Sequence, residues 1–233
     1  MAGKTAVIVG AGNGISGSFA RQFAAAGGAV VLAARNVDKL TPYAEEIGAT
    51  CISCDATKLD DVDALFTRVD RDCASLDVVL YNASARAGGP FTDVDAGKAA
   101  HALNVSAYGG FLVAQHAARR MEKAGAGTIL FTGASASVKG YKESAVFAMG
   151  KFALRGLAQS IARELAPKGV HVAHFVIDGG VRSVERGRIE QSGDSPDRFL
   201  NADAIAETYM HVVRQPRSAW TWEIELRPWV ETF

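Results

Sequence analysis

Residues 5–28, TAVIVGAGNGISGSFARQFAAAGG, decide the fold of this chain. Five β-prone residues (5–9) run directly into a glycine-rich segment. Apolar side chains then recur at helical spacing, at Ile15, Phe19, Phe23 and Ala26. Two natural helix-stop residues, Gly27 and Gly28, follow this stripe. A strand, a turn and a helix in immediate succession predict the first part of a βαβ unit, and hence a parallel sheet.

The same alternation continues to the end of the chain. Further apolar runs predict strands over residues 29–33, 49–53, 76–81, 128–132, 170–177 and 221–226. Helical patterns lie between them, over residues 37–47, 58–72, 95–122, 146–166 and 203–214. Continuous hydrophobicity is typical of strands that are covered on both faces, and helices of this length must cross over the sheet. We therefore expect one domain over residues 1–233: an α/β, doubly wound parallel sheet (Rossmann fold) of about seven strands with helices on both faces.

Composition narrows the class of partner. The formal net charge is zero and acidic and basic residues are interspersed, so the chain lacks the basic surface that nucleic acid or an anionic membrane requires. No apolar run approaches the roughly 18 residues of a membrane span, and the N-terminus lacks the features of a secretory signal. We expect a small-molecule partner and a cytoplasmic location. The scattered histidines predict no metal site, and Cys51 and Cys54 are interpreted as structural thiols on opposite faces of a strand.

The glycine-rich segment GAGNGISG (10–17) predicts a phosphate site. It brings bare backbone N–H groups to a helix N-terminus, and Gly10, Gly12 and Gly14 remove Cβ atoms where a dinucleotide would press against the loop. A G-x-G-x-x-G match that begins at Gly12 starts two residues late for the usual register. The strand–loop–helix context nevertheless favours nucleotide binding over a glycine loop that only makes a tight turn.

Arg35 follows the second predicted strand, where an acidic residue would otherwise hold an adenosine ribose. A carboxylate there favours a free 2′-hydroxyl, whereas a guanidinium pairs with a 2′-phosphate through two hydrogen bonds. The sequence therefore predicts NADP(H) in preference to NAD(H). The alternative is that Arg35 is an ordinary solvated charge.

With these features placed, the chain resembles the short-chain dehydrogenase/reductase family over essentially its full length. Residues 10–16 are similar to the family's TGxxxGxG loop, with Val9 in place of Thr and Ser16 in place of the last glycine. Further matches are Asp55 in CDAT, Asn82 and Ala83 in YNAS (81–84), Asn104 in LNVSAYGG and the segment 151–172, which begins with Lys151. After the sixth strand, Asp178 stands where the family has a proline, although Gly179 and Val181 still offer backbone groups to a nicotinamide amide.

The resemblance implies a cofactor site and a catalytic site. The implied cofactor-binding residues are Gly10, Gly12, Asn13, Gly14, Ile15, Arg35, Asn36, Asp55, Ala56, Asn82, Ala83, Lys151, Gly179 and Val181. The implied catalytic residues that this chain retains are Asn104 and Lys151. The family's acid/base Tyr lies four residues before the Lys, and its Ser lies thirteen residues before that Tyr. Here these positions are Phe147 and Ala134, so both substrate-facing proton donors are missing.

Two nearby hydroxyl groups are candidate replacements. Ser135 is adjacent to the vacated Ser position, and Tyr141 lies further along the same loop, as does Ser137. The alternatives are that the serines bond to backbone groups and that Tyr141 only lines the pocket. Lys151 is expected to hold the cofactor ribose, and the apolar ring of Phe147 is expected to lower the Lys151 pKa by desolvation.

These features predict an atypical NADP-dependent oxidoreductase that interconverts a carbonyl and an alcohol or reduces another polarised double bond. The alternative is a catalytically silent NADP-binding sensor or scaffold protein. The charged segment 182–199 is interpreted as a mobile lid or a solvated loop. The C-terminal residues 214–233 are rich in Trp and Arg, and by family resemblance they help to build a homodimer or homotetramer.

Overall fold

A computed structural model describes residues 1–232. Seven strands form one sheet in the order β3-β2-β1-β4-β5-β6-β7, and every neighbouring pair is parallel. The strands are β1 (Thr5–Val9), β2 (Ala29–Ala34), β3 (Thr50–Ser53), β4 (Val78–Tyr81), β5 (Gly127–Thr132), β6 (Val170–Ile177) and β7 (Glu223–Leu226). The predicted doubly wound parallel sheet and its strand count are confirmed.

Within residues 1–232, seven α-helices connect or follow the strands. They are α1 (Ile15–Ala25), α2 (Thr41–Ile47), α3 (Leu59–Asp72), α4 (Ala96–Leu103), α5 (Gly109–Ala124), α6 (Ala145–Leu165) and α7 (Ala202–Arg214). Within residues 1–232, no helix is both long and apolar enough to cross a membrane. The predicted start of α2 at residue 37 is wrong, because residues 37–40 form a turn and Pro42 lies in the first turn of the helix.

The predicted helix over residues 95–122 is present, but it is not regular throughout. A π-helical turn, Asn104–Tyr108, separates α4 from α5. The Tyr81 hydroxyl of β4 donates a hydrogen bond to the Val105 carbonyl, which competes with the helical ladder, and the Gly109 N–H reaches back five residues to the Asn104 carbonyl. A tertiary contact thus interrupts a helix that sequence periodicity alone predicts as unbroken.

Two apolar layers cover the two faces of the sheet. Val7 and Val9 of β1 face α3, α5 and α6, whereas Ala6 and Ile8 face α1, α2 and α7. Cys51 and Cys54 pack into opposite layers, which confirms that they project to opposite faces. Both are free thiols, and burial raises the pKa of Cys54 to about 12.

The strand order places the carboxyl ends of β1 and β4 side by side at the centre of the sheet. From β1 the chain continues to β2 and β3 on one side, and from β4 it continues to β5, β6 and β7 on the other. The loops that leave β1 and β4 therefore diverge and open a cleft between them. In open α/β sheets, ligands bind at such a topological switch point.

Candidate active site

A cleft of about 960 Å³ lies at the carboxyl edge of the sheet. The loops after β1 to β6 form its walls, and the predicted cofactor-binding residues all line it: Gly10, Gly12, Asn13, Gly14, Ile15, Arg35, Asn36, Asp55, Ala56, Asn82, Ala83, Lys151, Gly179 and Val181. We call the part lined by residues 10–15 the phosphate end. The part lined by Thr132, Ala134, Phe147 and Lys151 is called the lysine end.

The three glycines of the phosphate end are required for different structural reasons. Gly10 has a φ of +79°, and a Cβ atom there would lie 2.3 Å from the Ala83 nitrogen. Gly10 is therefore required by the packing of two loops as well as by its backbone conformation. A Cβ atom on Gly12 or Gly14 would meet no protein atom within 4 Å, so these two residues keep the cleft itself open.

The phosphate end has donors to offer a ligand. Within residues 1–232, the N–H groups of Asn13 and Gly14 have no hydrogen-bond acceptor, and they lie at the N-terminus of α1. Backbone N–H groups and the helix dipole together favour negative charge at this position. Open space beside free donors is the environment that the diphosphate of a dinucleotide requires.

Ser16 fixes the shape of the glycine loop. Its buried hydroxyl oxygen accepts hydrogen bonds from the Gly12 N–H (3.1 Å) and from the Asn82 side-chain amide (3.2 Å). The same Asn82 amide donates to the Gly10 carbonyl at 3.3 Å. The side chain of Asn82 therefore holds the loops after β1 and β4 together, and Ser16 is a structural replacement for the glycine of the family pattern.

The opposite side of the phosphate end carries Arg35, Asn36 and Asp55. Arg35 is exposed to the cleft and forms no ion pair within the described part of the chain. The Asp55 carboxylate accepts hydrogen bonds from the Thr57 N–H (3.0 Å) and hydroxyl (2.8 Å). Burial acts to raise the Asp55 pKa, but these bonds and the charge of Arg35 outweigh it, so the pKa lies below its usual value. Asp55 is an oriented, ionised acceptor.

Lys151 is almost completely buried at the lysine end. Its exposed fraction is 2%, and Nζ donates a hydrogen bond of 2.8 Å to the Thr132 carbonyl. The Tyr209 hydroxyl donates to Thr132 Oγ1 at 3.1 Å and so helps to fix the side chain of the same residue. Burial, with a smaller contribution from the charge of Arg86, lowers the Lys151 pKa to about 7. The predicted direction of the shift is confirmed.

Phe147 supports a cation at the lysine end. The Arg86 guanidinium carbon lies 3.8 Å from the centroid of the Phe147 ring, within the range of a cation–π contact. Lys151 Nζ lies 6.0 Å from the same centroid. The ring is buried, with 8% of its surface exposed, whereas Arg86 is exposed to the cleft. The position at which the resemblance implies a phenol is therefore occupied by an aromatic ring in contact with a guanidinium group.

Three predicted catalytic residues lie outside the cleft wall. Asn104 is exposed at the start of the π-helical turn, and the next residue, Val105, lines the cleft instead. Ser135 begins a short 3-10 turn, in which its carbonyl accepts from the N–H groups of the residues three and four positions further on. Tyr141 is 45% exposed and lies beside Lys139. The structure brings only Lys151 of the predicted catalytic set into the cleft.

Asp178, at the family's proline position, is held by two cations. Its carboxylate lies 3.1 Å from Arg227 and 3.5 Å from Lys139, and the residue is 5% exposed. The next residue, Gly179, has a φ of +143° and lines the cleft. Ion pairs thus anchor the chain after β6 where a rigid proline is absent.

Sequence reasoning missed the arginines of the lysine end. Arg86, Arg186 and Arg188 line the cleft together with Ser183, and none of them belongs to the motifs that the resemblance provides. The available signal was the charged segment 182–199, which was interpreted only as a lid or a solvated loop. Its hydrogen-bonded turn Ser183–Arg188, called the arginine hairpin below, shows that part of it is built structure.

Comparisons with known proteins agree with this geometry. The sequence model of a family described as short chain dehydrogenase matches residues 4–190. An oxidoreductase of Sarocladium schorii is 30% identical over 174 residues, which are 74% of this chain and 70% of that protein. A short-chain dehydrogenase structure from Rhodopseudomonas palustris is 35% identical, with a TM-score of 0.83 and coverage of 98% of this chain and 100% of that one. A metagenomic short-chain oxidoreductase in complex with NADP is 27% identical, with a TM-score of 0.85 and 99% coverage of both chains.

Proposed function

The chain belongs to the short-chain dehydrogenase family of oxidoreductases, and from this premise we propose that it is an NADP-dependent enzyme that interconverts a carbonyl and an alcohol. The observation that carries the proposal is one continuous cleft with an open, donor-rich glycine loop at one end and the buried Lys151 at the other. The NADP complex of the metagenomic relative supports the choice of cofactor.

Each part of a dinucleotide has residues of this chain that are suited to bind it. The N–H groups of Asn13 and Gly14 bind the diphosphate, Arg35 binds the 2′-phosphate and the Asp55 carboxylate accepts from the adenine. Lys151 donates to the nicotinamide ribose, and Gly179 and Val181 offer backbone groups to the carboxamide. When bound, NADPH supplies the hydride.

Lys151 also supplies the proton in this proposal. Phe147 and Ala134 have no proton to give, and of the two cations beside the Phe147 ring Arg86 stays protonated, which leaves Lys151 as the group that can release a proton. An amine with a pKa of about 7 is well matched to general acid/base work near neutral pH. In carbonyl reduction the Lys151 ammonium would give its proton to the carbonyl oxygen, and in alcohol oxidation the neutral amine would take a proton from the hydroxyl group.

Loss of the phenol does not exclude useful rates. General acid/base catalysis contributes roughly 10²–10⁴-fold, and one oxyanion donor contributes about 10²–10³-fold. Positioning of two reactants supplies on the order of 7–11 kcal/mol independently of either group. An enzyme that keeps the cleft and a buried lysine therefore keeps most of the machinery for hydride transfer.

Calorimetry tests the cofactor assignment. We expect the protein to bind NADPH more tightly than NADH, and Arg35→Ser to weaken NADPH binding by roughly 10- to 100-fold, because charge-assisted hydrogen bonds to the 2′-phosphate are lost. NADH binding should stay unchanged. The exposed neighbour Lys39 lies off the cleft wall, so Lys39→Ser is the matched control for charge. Equal affinity of the unmodified protein for the two cofactors contradicts the role given to Arg35.

Turnover tests the reaction. NADPH oxidation is followed spectrophotometrically with a broad panel of aldehydes and ketones that includes charged and neutral members. We expect at least one carbonyl to accelerate oxidation well above the rate without substrate. A rate equal to that background with every member of the panel rejects the proposed enzyme.

The missing donors at positions 134 and 147 favour a second candidate, an NADP-binding sensor or scaffold. Tight NADPH binding without turnover, together with partner affinity that changes with the cofactor, selects this alternative. The double variant Phe147→Tyr, Ala134→Ser distinguishes a site that has only lost its donors (an eroded site) from one adapted to a different reaction or substrate (a specialised site). Restored donors raise carbonyl reduction in an eroded site, whereas in a specialised site they impair native turnover or leave it unchanged.

We also propose that the chain assembles as a homodimer or homotetramer. Exposed apolar side chains on α5, α6 and the π-helical turn support this, namely Tyr108, Phe111, Met149 and Phe152. Trp229 is also 75% exposed, whereas Trp220 stacks on His171 within the protein. Sedimentation velocity is the test, and a monomer at micromolar concentration contradicts it.

A further inference from the structure

Two separate loops bring three arginines to the lysine end. Arg86 follows β4, whereas Arg186 and Arg188 belong to the arginine hairpin, in which Ser183 and Arg188 exchange two backbone hydrogen bonds of 2.9 Å. All three arginines line the cleft. They are near enough to interact, since burial and then the charges of Arg188 and Arg186 lower the pKa of Arg86.

Within residues 1–232, no carboxylate forms an ion pair with these three groups. Arg182, at the edge of the hairpin, is already paired with Glu190. Glu185 also lines the cleft, but it makes no ion pair. Like charges that are held together in a concave site repel one another and attract anions from solution. The three arginines outnumber the one unpaired carboxylate, Glu185, so this part of the cleft carries an excess of positive charge next to the reacting centre.

Phe147 gives this site a defined geometry. The Arg86 guanidinium carbon lies 3.8 Å from the centroid of the buried ring, and a contact this close limits where the guanidinium group can move. A stacked guanidinium keeps its edge free, and that edge carries the N–H pairs that bind carboxylate or phosphate bidentately. The aromatic residue that removes the phenol is therefore also the support for an anion-binding group.

We propose that the substrate is an anion whose carboxylate or phosphate group is bound by Arg86 together with Arg186 and Arg188, which holds its carbonyl beside Lys151. The proposal rests on the proposed carbonyl reduction for the identity of the reacting group. The anion site itself stands on the arrangement of the arginines and is testable without turnover.

Position separates this site from the phosphate groups of the cofactor. The diphosphate loop and Arg35 lie at the phosphate end, whereas Arg86 contacts Phe147 and acts electrostatically on Lys151 at the other end. If the arginines instead held the cofactor, their removal would weaken NADPH binding in the absence of any substrate. This difference is the basis of the first experiment.

The first experiment measures binding by calorimetry to the protein saturated with NADP⁺. The probes are succinate, inorganic phosphate and the neutral succinamide. We expect one or both anions to bind and succinamide not to bind, and Arg86→Met or Arg188→Met to weaken anion binding by roughly 10- to 100-fold. NADPH affinity should be unchanged in both variants. The control Arg214→Met removes an equal charge from an exposed position on α7, away from the cleft.

The second experiment compares turnover of matched carbonyl pairs, which identifies the type of anion. The pairs are 4-oxopentanoate with its methyl ester, and dihydroxyacetone phosphate with dihydroxyacetone. We expect kcat/KM to favour the charged member of one pair by roughly 10- to 100-fold, and Arg86→Met to abolish that preference. Arg86→Lys should restore only part of it, because an ammonium keeps the charge without the planar fork.

The outcomes separate this proposal from the proposed function. Anion binding that depends on Arg86, without turnover of any carbonyl, supports the anion site and rejects the enzyme. Equal turnover of charged and neutral members supports the enzyme and overturns the anion site. Two further results overturn the anion site. One is that neither anion binds, and the other is that Arg86→Met loses as much affinity for NADPH as for the anion.

Discussion

The two ends of the cleft are built from different parts of the polypeptide. At the phosphate end, Asn13 and Gly14 offer backbone donors, Gly12 and Gly14 leave open space, and side chains serve mainly to fix the loop. At the lysine end, the side chains of Arg86, Phe147 and Lys151 determine charge and chemistry. Substitution leaves the donors of a backbone site in place, because backbone N–H groups are common to nearly all residues. At a side-chain site, one substitution changes the charge and the chemistry. Against the pattern that the resemblance implies, this chain matches at the first end and differs at the second.

The largest expected effect lies at the lysine end. Lys151→Met should reduce turnover by roughly 10²–10⁴-fold, because it removes the proposed proton donor. In the unmodified enzyme, the rate of carbonyl reduction should fall as pH rises through about 7, since the ammonium form is lost there. Steady-state kinetics from pH 5.5 to 9 measure both effects. If the rate did not depend on pH, or if Lys151→Met kept full turnover, another group would supply the proton. The lysine end would then not owe its chemistry to the side chain of Lys151.

The buried Lys151 should also lower the free energy of unfolding. Its pKa is lowered from 10.5 to about 7, so between these pH values the folded state binds fewer protons than the unfolded state, and stability rises with pH. Below about pH 7 both states are protonated and the full cost of the buried charge is present. Lys151→Met should therefore be more stable by a few kcal/mol at pH 6, and this gain should shrink towards pH 10.5. Urea denaturation of the apoprotein at pH 6, 8 and 10 measures it, and a gain independent of pH contradicts this origin.

The next largest effect tests whether the phosphate end is truly a backbone site. Gly10→Ala should destabilise the protein by about 2–4 kcal/mol, because alanine disfavours a φ of +79° and its Cβ would lie 2.3 Å from the Ala83 nitrogen. Gly12→Ala should leave stability within about 1 kcal/mol, since no protein atom lies near that Cβ. It should instead weaken NADPH binding by more than about tenfold by filling cofactor space.

Urea denaturation and calorimetry of this pair sharpen the comparison. Each variant adds a single methyl group to the same loop, so each serves as the control for the other. If Gly12→Ala destabilised the apoprotein as much as Gly10→Ala does, both glycines would serve packing, and the open cradle would be an incorrect description.

The same contrast explains what sequence could predict. The strands, α1 and the glycine loop depend on residues that are adjacent in the chain, so periodicity and spacing revealed them. The π-helical turn depends on the contact between Tyr81 and Val105, and the anion site depends on Arg86 meeting Phe147. Such contacts join distant segments, and no local pattern encodes them. Spacing predicted that Phe147 stands at the position of a missing donor, but only the fold shows the contact of its ring with Arg86.

A smaller effect is expected from the side chains that fix the glycine loop. Ser16→Ala should destabilise the protein by about 1–3 kcal/mol, because the Gly12 N–H and the Asn82 amide lose an acceptor in a buried site. NADPH affinity should fall only a few-fold, as the donors to the diphosphate remain. Ser18→Ala is the matched control, since Ser18 is also a buried residue of the same helix but its side chain makes no hydrogen bond within residues 1–232. Equal losses in the two variants would show that Ser16 contributes by packing alone.

The smallest effects are expected at Ser135 and Tyr141, the two hydroxyl groups that the sequence predicts as replacement donors. Ser135→Ala and Tyr141→Phe should each leave kcat/KM within about twofold, because neither residue lines the cleft and Tyr141 is 45% exposed. Their common control is Lys151→Met in the same assay, which fixes the scale of a lost proton donor. A tenfold loss in either variant would mean that the loop after β5 turns inward when substrate binds. The lysine end would then have regained a hydroxyl donor by motion, and proton transfer would no longer rest on Lys151 alone.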